Sequence, residues 1–157
     1  MLFVMVVMMI LTALLVSYGR VGEHQIILFR EATEVTNTLF RAKSLSISTF
    51  GETSPPCSYG VHFSPPSTFL IFKDLADDCR QADHVYSGQN ELVESLNLDP
   101  VVIFDQDKLS LTDIVFIPPN PAVLITPDQY QATIGLKTAD GKSSVSITVT
   151  KAGLISM

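Results

Sequence analysis

The residues with the widest chemical repertoire in this 157-residue chain are three histidines, two cysteines and one cluster of carboxylates. The cluster lies at 74–90, DLADDCRQADHVYSGQN, where Asp74, Asp77, Asp78 and Asp83 accompany His84. Clustered carboxylates suit a hard cation such as Ca²⁺. The spacing is not that of an EF-hand loop, because no Gly or terminal Glu falls in register. A solvated acidic loop is the expected reading, so no cofactor is assigned and Ca²⁺ stands as the alternative. Cys57 and Cys79 flank two adjacent strand-like runs that form a natural hairpin. In an oxidising compartment a Cys57–Cys79 bridge is expected, worth about 3 kcal/mol in the chain-entropy treatment. In a reducing compartment the same residues would be two thiols. His24 falls in a helical pattern, His62 in a strand and His84 in the acidic loop. None belongs to an H-E-x-x-H spacing, and the chain has no G-x-S-x-G, P-loop or G-x-G-x-x-G motif. No catalytic residue and no enzymatic activity is expected.

The elements that must position these residues fall into two regions. Residues 1–16, MLFVMVVMMILTALLV, are apolar except for Thr12, and the first charge in the chain is Arg20. A transmembrane helix needs about 20 such residues. A signal peptide needs a shorter core with a basic flank and a small-residue cleavage site. Ser17-Tyr18-Gly19 would serve as that site, but no basic flank precedes the run. A helix with no polar face is otherwise surrounded by other apolar elements. A membrane or filament-core helix, a cleaved signal and a soluble core helix are therefore the three readings.

Beyond the apolar run, Leu28, Ala32, Val35, Leu39, Ala42 and Leu45 recur at helical spacing on one face. No proline precedes Pro55. One helix is thus predicted from near Met1 to about Ile47, and its continuity in phase speaks against a cleaved signal. Gly19 and Gly22 interrupt it, at about 1 kcal/mol each relative to Ala, and are expected to supply flexibility.

After Ser46 the grammar changes to short apolar or alternating runs between turn residues. Strands are predicted at 59–63, 68–73, 92–98, 101–104, 114–117, 122–125, 131–137, 143–150 and 154–156. Asp140-Gly141 marks a hairpin turn. The fold class expected is therefore α+β. A long N-terminal helix, apolar then amphipathic, is followed by a small, mostly antiparallel β-sandwich-like domain. The division is 1–50 for the helix and 51–157 for a β-rich head able to fold alone. The head carries six Lys/Arg against thirteen Asp/Glu. That balance repels a phosphate backbone, so nucleic acid is not an expected partner.

Taken in order, ILTALLVSY, REATEV, LFRAKSLSIST, CSYGVHF, FLIFKD, VYSGQNELVESLNL, DIVFIPPNPAVLI and ITVTKAGLIS cover most of the chain. Together they resemble the type IV pilin superfamily, and within it the minor pseudopilins of the GspH/FimT kind from type II secretion and pilus systems. The resemblance implies a structural subunit, anchored in the inner membrane as a single-pass protein with its β-domain outside the cytoplasm. It implies assembly into a filament through the N-terminal helix, with Leu2, Val6, Ile10 and Leu14 for membrane and helix packing and with other pilins or pseudopilins and membrane lipid as partners. The family signature is a basic leader ending in Gly, then a run such as F-T-L-I-E. Residues 1–16 hold no such Gly or Glu, and Met1 stands in register just after that Glu. The resemblance therefore implies a natural start upstream of Met1 and cleavage there by a membrane-embedded prepilin peptidase. The alternative function is a membrane-tethered or secreted β-sandwich binding module.

Overall fold

The computed structural model spans Met1–Met157 and describes all but residues 1, 52, 77, 120 and 121; the side chains of 2, 14–21 and 122 are likewise outside the described set. Helix α1 (Leu2–Ser48) is followed by nine strands. These are β1 (Ser58–Ser64), β2 (Thr68–Asp74), β3 (Leu92–Asn97), β4 (Val102–Phe104), β5 (Asp113–Ile117), β6 (Ala122–Thr126), β7 (Gln131–Thr138), β8 (Ser144–Thr150) and β9 (Ile155–Ser156). Every strand lies within one or two residues of its predicted position, because each run is bounded by turn-forming residues. At the β7–β8 turn, for example, Gly141 adopts a φ of 72° and Asp140 Oδ1 accepts the Lys142 N–H.

The strands form two antiparallel sheets, one ordered β3-β2-β1-β5-β6 and the other β4-β7-β8-β9. β1 pairs with both β2 and β5, so β2, β3 and β4 intervene in sequence between β1 and β5, which are neighbours in space. Side chains alternate across each strand. From the five-stranded sheet, Tyr59, Val61, Phe63, Phe69, Ile71, Ile114 and Phe116 face inward. From the other sheet, Phe104, Ile134, Leu136, Ile147 and Val149 meet them. Phe104 joins the two layers, edge-on to Phe63 at 5.6 Å and to Phe69 at 6.1 Å.

The expected architecture of a long helix followed by a small β-sandwich-like domain is overturned. The sheets do not close on each other alone. Part of α1, residues 22–48, lies with them, and Leu28, Ala32, Val35, Leu39 and Ala42 belong to the same continuous core as the strand residues. Helix contacts reach β1, β5, β7, β8 and β4, which is to say both sheets. The shorter leading part stands apart, with every side chain from 3 to 13 exposed. The structural unit is thus a helix segment and two sheets around one core.

Polar contacts fix the helix from both flanks. On one side Arg30 bridges Glu31 at 2.8 Å and Asp99 at 3.1 Å, and Arg41 pairs with Glu94 of β3. On the other, Gln25 donates to Ser143, and Lys43 Nζ donates to the Gly153 carbonyl at 3.3 Å. Ser46, fully buried, donates to the Phe116 carbonyl at 2.9 Å. The α1 helix includes both Gly19 and Gly22. A Cβ at Gly22 would meet nothing within 4 Å, and the surroundings of Gly19 lie outside the described residues.

Leu39 and Phe40 are sequence neighbours about 100° apart around α1, buried and exposed respectively. Leu39→Ala is expected to lower stability by about 2–5 kcal/mol, the range for a buried leucine truncation. Phe40→Ala is expected to change it by no more than about 0.5 kcal/mol. Urea unfolding of the two variants beside the parent checks this.

Candidate assembly surface

The first part of α1 is the largest exposed apolar feature among the described residues. Phe3, Val4, Met5, Val6, Val7, Met8, Met9, Ile10 and Leu11 are consecutive and exposed, with Phe3 at 80% and Met9 at 73%. Of the packing residues expected from sequence, Val6 and Ile10 fall in this run, while the side chains of Leu2 and Leu14 lie outside the described residues. Among the described residues no helix is long and apolar enough to cross a membrane.

A second feature follows from the same helical period. Ile26, Phe29, Phe40 and Ile47 are exposed on the face of α1 turned away from the core. Thr33 joins them, its hydroxyl turned back to the Phe29 carbonyl at 2.8 Å. Arg30, Glu34 and Arg41 fall on one flank of the stripe and Lys43 on the other. Sequence reading assigned the buried face and missed this one, although the spacing of Ile26, Phe29, Phe40 and Ile47 carries the signal.

The acidic stretch is a strap, residues 75–91, laid across the outer face of the five-stranded sheet. Even-numbered residues of β1 and β2 and odd-numbered residues of β5 point there. Leu70, Phe72 and Val115 form a small apolar cluster under it, joined by Tyr86, Leu92 and Ile117. Phe72 lies flat over Gly60, where a Cβ would stand 2.6 Å from the ring, so only glycine fits beneath it. Tyr86 packs on Phe72 at 5.7 Å and on His62 at 5.2 Å. One end of the strap is tied by the Cys57–Cys79 disulfide, with a Cα–Cα distance of 5.1 Å.

A carboxylate–imidazole–hydroxyl group fastens its middle. Buried Asp74 accepts the Ala76 N–H on Oδ1 and the His84 N–H on Oδ2, and Oδ2 also lies 3.2 Å from His84 Nδ1. Ser58 Oγ meets the same ring nitrogen at 3.1 Å. Hydroxyl and carboxylate therefore share Nδ1, and the ring does not stand between them as it does in a Ser-His-Asp relay. His84 adopts a φ of 52°, a left-handed conformation held by these contacts. His62 sits opposite Asp113 across the β1–β5 pair, with Nδ1 2.8 Å from the carboxylate.

The remaining carboxylates are spent locally. Asp78 caps the Arg80 N–H, and Asp83 accepts the Val85 N–H and the Ser87 hydroxyl. Asp77 lies outside the described residues. Among the described residues no three His, Cys, Asp or Glu side chains converge as a metal-holding group. A shallow open depression, about 480 Å³ and lined by Asp74, Gln81, Asp83, Ser87, Asn90 and Glu91, lies beside the strap.

On the four-stranded sheet, the Lys137 ammonium, 2.8 Å away, holds the Asp105 carboxyl below its usual value of 3.8, and the same contact raises Lys137. The Thr138 hydroxyl and the Lys142 N–H hold Asp140 low in the same way. Folded values below the unfolded ones mean that both carboxylates stabilise the fold above the usual carboxylate range. That contribution is lost as pH falls through the lowered values.

Asp74→Ala leaves His84 and two strap N–H groups without their acceptor at a buried position. It is expected to cost about 2–4 kcal/mol. Asp83→Asn, at an exposed cap, is expected to stay within about 0.5 kcal/mol of the parent. Urea unfolding gives the energies, and limited proteolysis of 75–91 shows whether the strap has lifted.

No family model matches the chain, and neither a curated protein nor a solved structure does.

Proposed function

We propose that this protein is a structural subunit of the pilin-like kind, resembling the minor pseudopilins of type II secretion and pilus systems. Its site of action is the leading part of α1. One observation carries the reading: nine consecutive exposed apolar side chains, 3–11, continue in one helix into a segment built into the core of the body. Full burial of one such side chain is worth about 1.5–3 kcal/mol. Nine of them represent a driving force on the order of 10 kcal/mol toward any surrounding that removes them from water. Lipid and the helices of neighbouring subunits are the two surroundings that suit a helix with no polar face. The subunit starts in the inner membrane and passes from there into a filament, and the acidic body stays outside the cytoplasm.

The mechanical consequence lies in the rigid connection. A flexible tether would let the body swing freely around an inserted helix. Here residues 28–42 are packed against both sheets, and the α1 backbone continues from them into the leading part, so the reading couples the direction of that part to the orientation of the body. A filament of such subunits presents every body in a defined orientation.

Ile10→Asp tests the reading. A charge near the centre of a bilayer costs about 2.5–3.5 kcal/mol on the insertion scale. The variant is expected to lose membrane retention and cross-linking to neighbouring subunits while its body unfolds in urea as the parent does. Retention and cross-linking at parental levels would remove the helix as the assembly element and favour a tethered binding module.

A further inference from the structure

Each open sheet edge presents unpaired N–H and C=O groups, and proteins blunt such edges by shortness, proline or charge. Three of the four edges here are blunted in the first two ways. β9 has two residues and β4 has three. β6 is followed directly by Pro127. The fourth, β3, has six residues and no proline. It alternates regularly between half-buried and exposed positions, with Val93, Ser95 and Asn97 exposed. Its pairing with β2 is regular from Thr68–Asn97 to Ile71–Glu94, and the irregularity at Ile71/Phe72 displaces only its first residue. No described strand pairs with its outer edge.

We propose that β3 accepts an extended, basic segment of a partner protein as a sixth strand of this sheet. In strand addition the main-chain hydrogen bonds give affinity and alternate side chains give specificity. The side chain that specifies here is Glu94. It lies on the inner face beside Ile71, half exposed and paired with Arg41, which is itself largely exposed. A Lys or Arg directly opposite Glu94 on an added strand forms a favourable cross-strand pair. The excess of thirteen acidic over six basic residues in 51–157 attracts such a segment from a distance.

A second copy of this chain is a poor occupant by the same logic. Antiparallel β3–β3 pairing that keeps the two inner faces on one side must centre on a residue. Centred on Val93, Glu94, Ser95 or Leu96 it sets Glu94 against Leu92, a second Glu94, Leu96 or Leu98, none of them a cation. The inference does not depend on the assembly reading, since Ile10→Asp alters the leading part of α1 and leaves β3 intact.

The test uses the full chain in detergent micelles and a synthetic eight-residue peptide of alternating Lys and Val. Its controls are the same peptide with Glu for Lys and the Lys peptide with alternate amides N-methylated. The Lys peptide is expected to slow amide exchange at 92–97 and to bind at least about tenfold more tightly than the Glu peptide. N-methylation is expected to abolish binding. Glu94→Gln is expected to narrow the Lys-to-Glu preference to about threefold or less. If loss of the Arg41 pair disturbs that variant, Ser95→Pro, on the exposed face, is expected to remove peptide binding while leaving the cooperative urea transition in place. No slowing at 92–97, equal slowing by both peptides, or concentration-dependent protection of 92–97 without peptide would overturn the proposal; the last would show that a second copy takes the edge.

Discussion

The structure depends on one packing arrangement: a helical stripe of Leu28, Ala32, Val35, Leu39 and Ala42 inserted where two antiparallel sheets meet. Two of the five are alanines. Small side chains at 32 and 42 let the helix backbone approach closely, while Leu28 and Leu39 fill the space between layers. Neither sheet could bury its inner face alone. The five-stranded sheet contributes phenylalanines and isoleucines too bulky to leave in water, and the four-stranded sheet is too narrow to cover them. The ion pairs on the flanks, Arg30 with Glu31 and Asp99, and Arg41 with Glu94, are largely exposed and add orientation more than stability.

From this packing follows the division of labour along α1. One continuous backbone carries a buried stripe in its second part and an unrelieved apolar surface in its first. The outer face of the five-stranded sheet solves a different problem. Its apolar patch of Leu70, Phe72 and Val115 would be open, and the 75–91 strap closes it with a disulfide, a buried carboxylate–imidazole contact and a tyrosine ring. The acidic residues of that stretch shape the strap by capping its turns.

Much of this was legible in the sequence. The nine strands were readable because alternation such as Val145, Ile147 and Val149 is local, and because turn residues such as Asp140-Gly141 bound each run. The helix periodicity was equally local, and it named the five buried positions. What those positions face was not legible. The pairing of β1 with β5 joins segments more than fifty residues apart, and no local pattern records it. For that reason the helix was read as an appendage to a separate sandwich. His84 looked like one member of an acidic cluster, and its role in fastening the strap to Ser58 and Asp74 emerges only once β1 and β2 are paired. The outer stripe of Ile26, Phe29, Phe40 and Ile47 was readable in principle and was hidden by the stronger inner one.

The account stands on the second part of α1 being core. Its most direct measurement is equilibrium urea unfolding of a chain cut to 22–157 beside one cut to 51–157. The account predicts a single cooperative transition for 22–157, and for 51–157 no cooperative transition together with strong binding of a hydrophobic dye. A 51–157 chain that unfolds cooperatively with the stability of 22–157 would contradict it and return the helix to the status of an appendage.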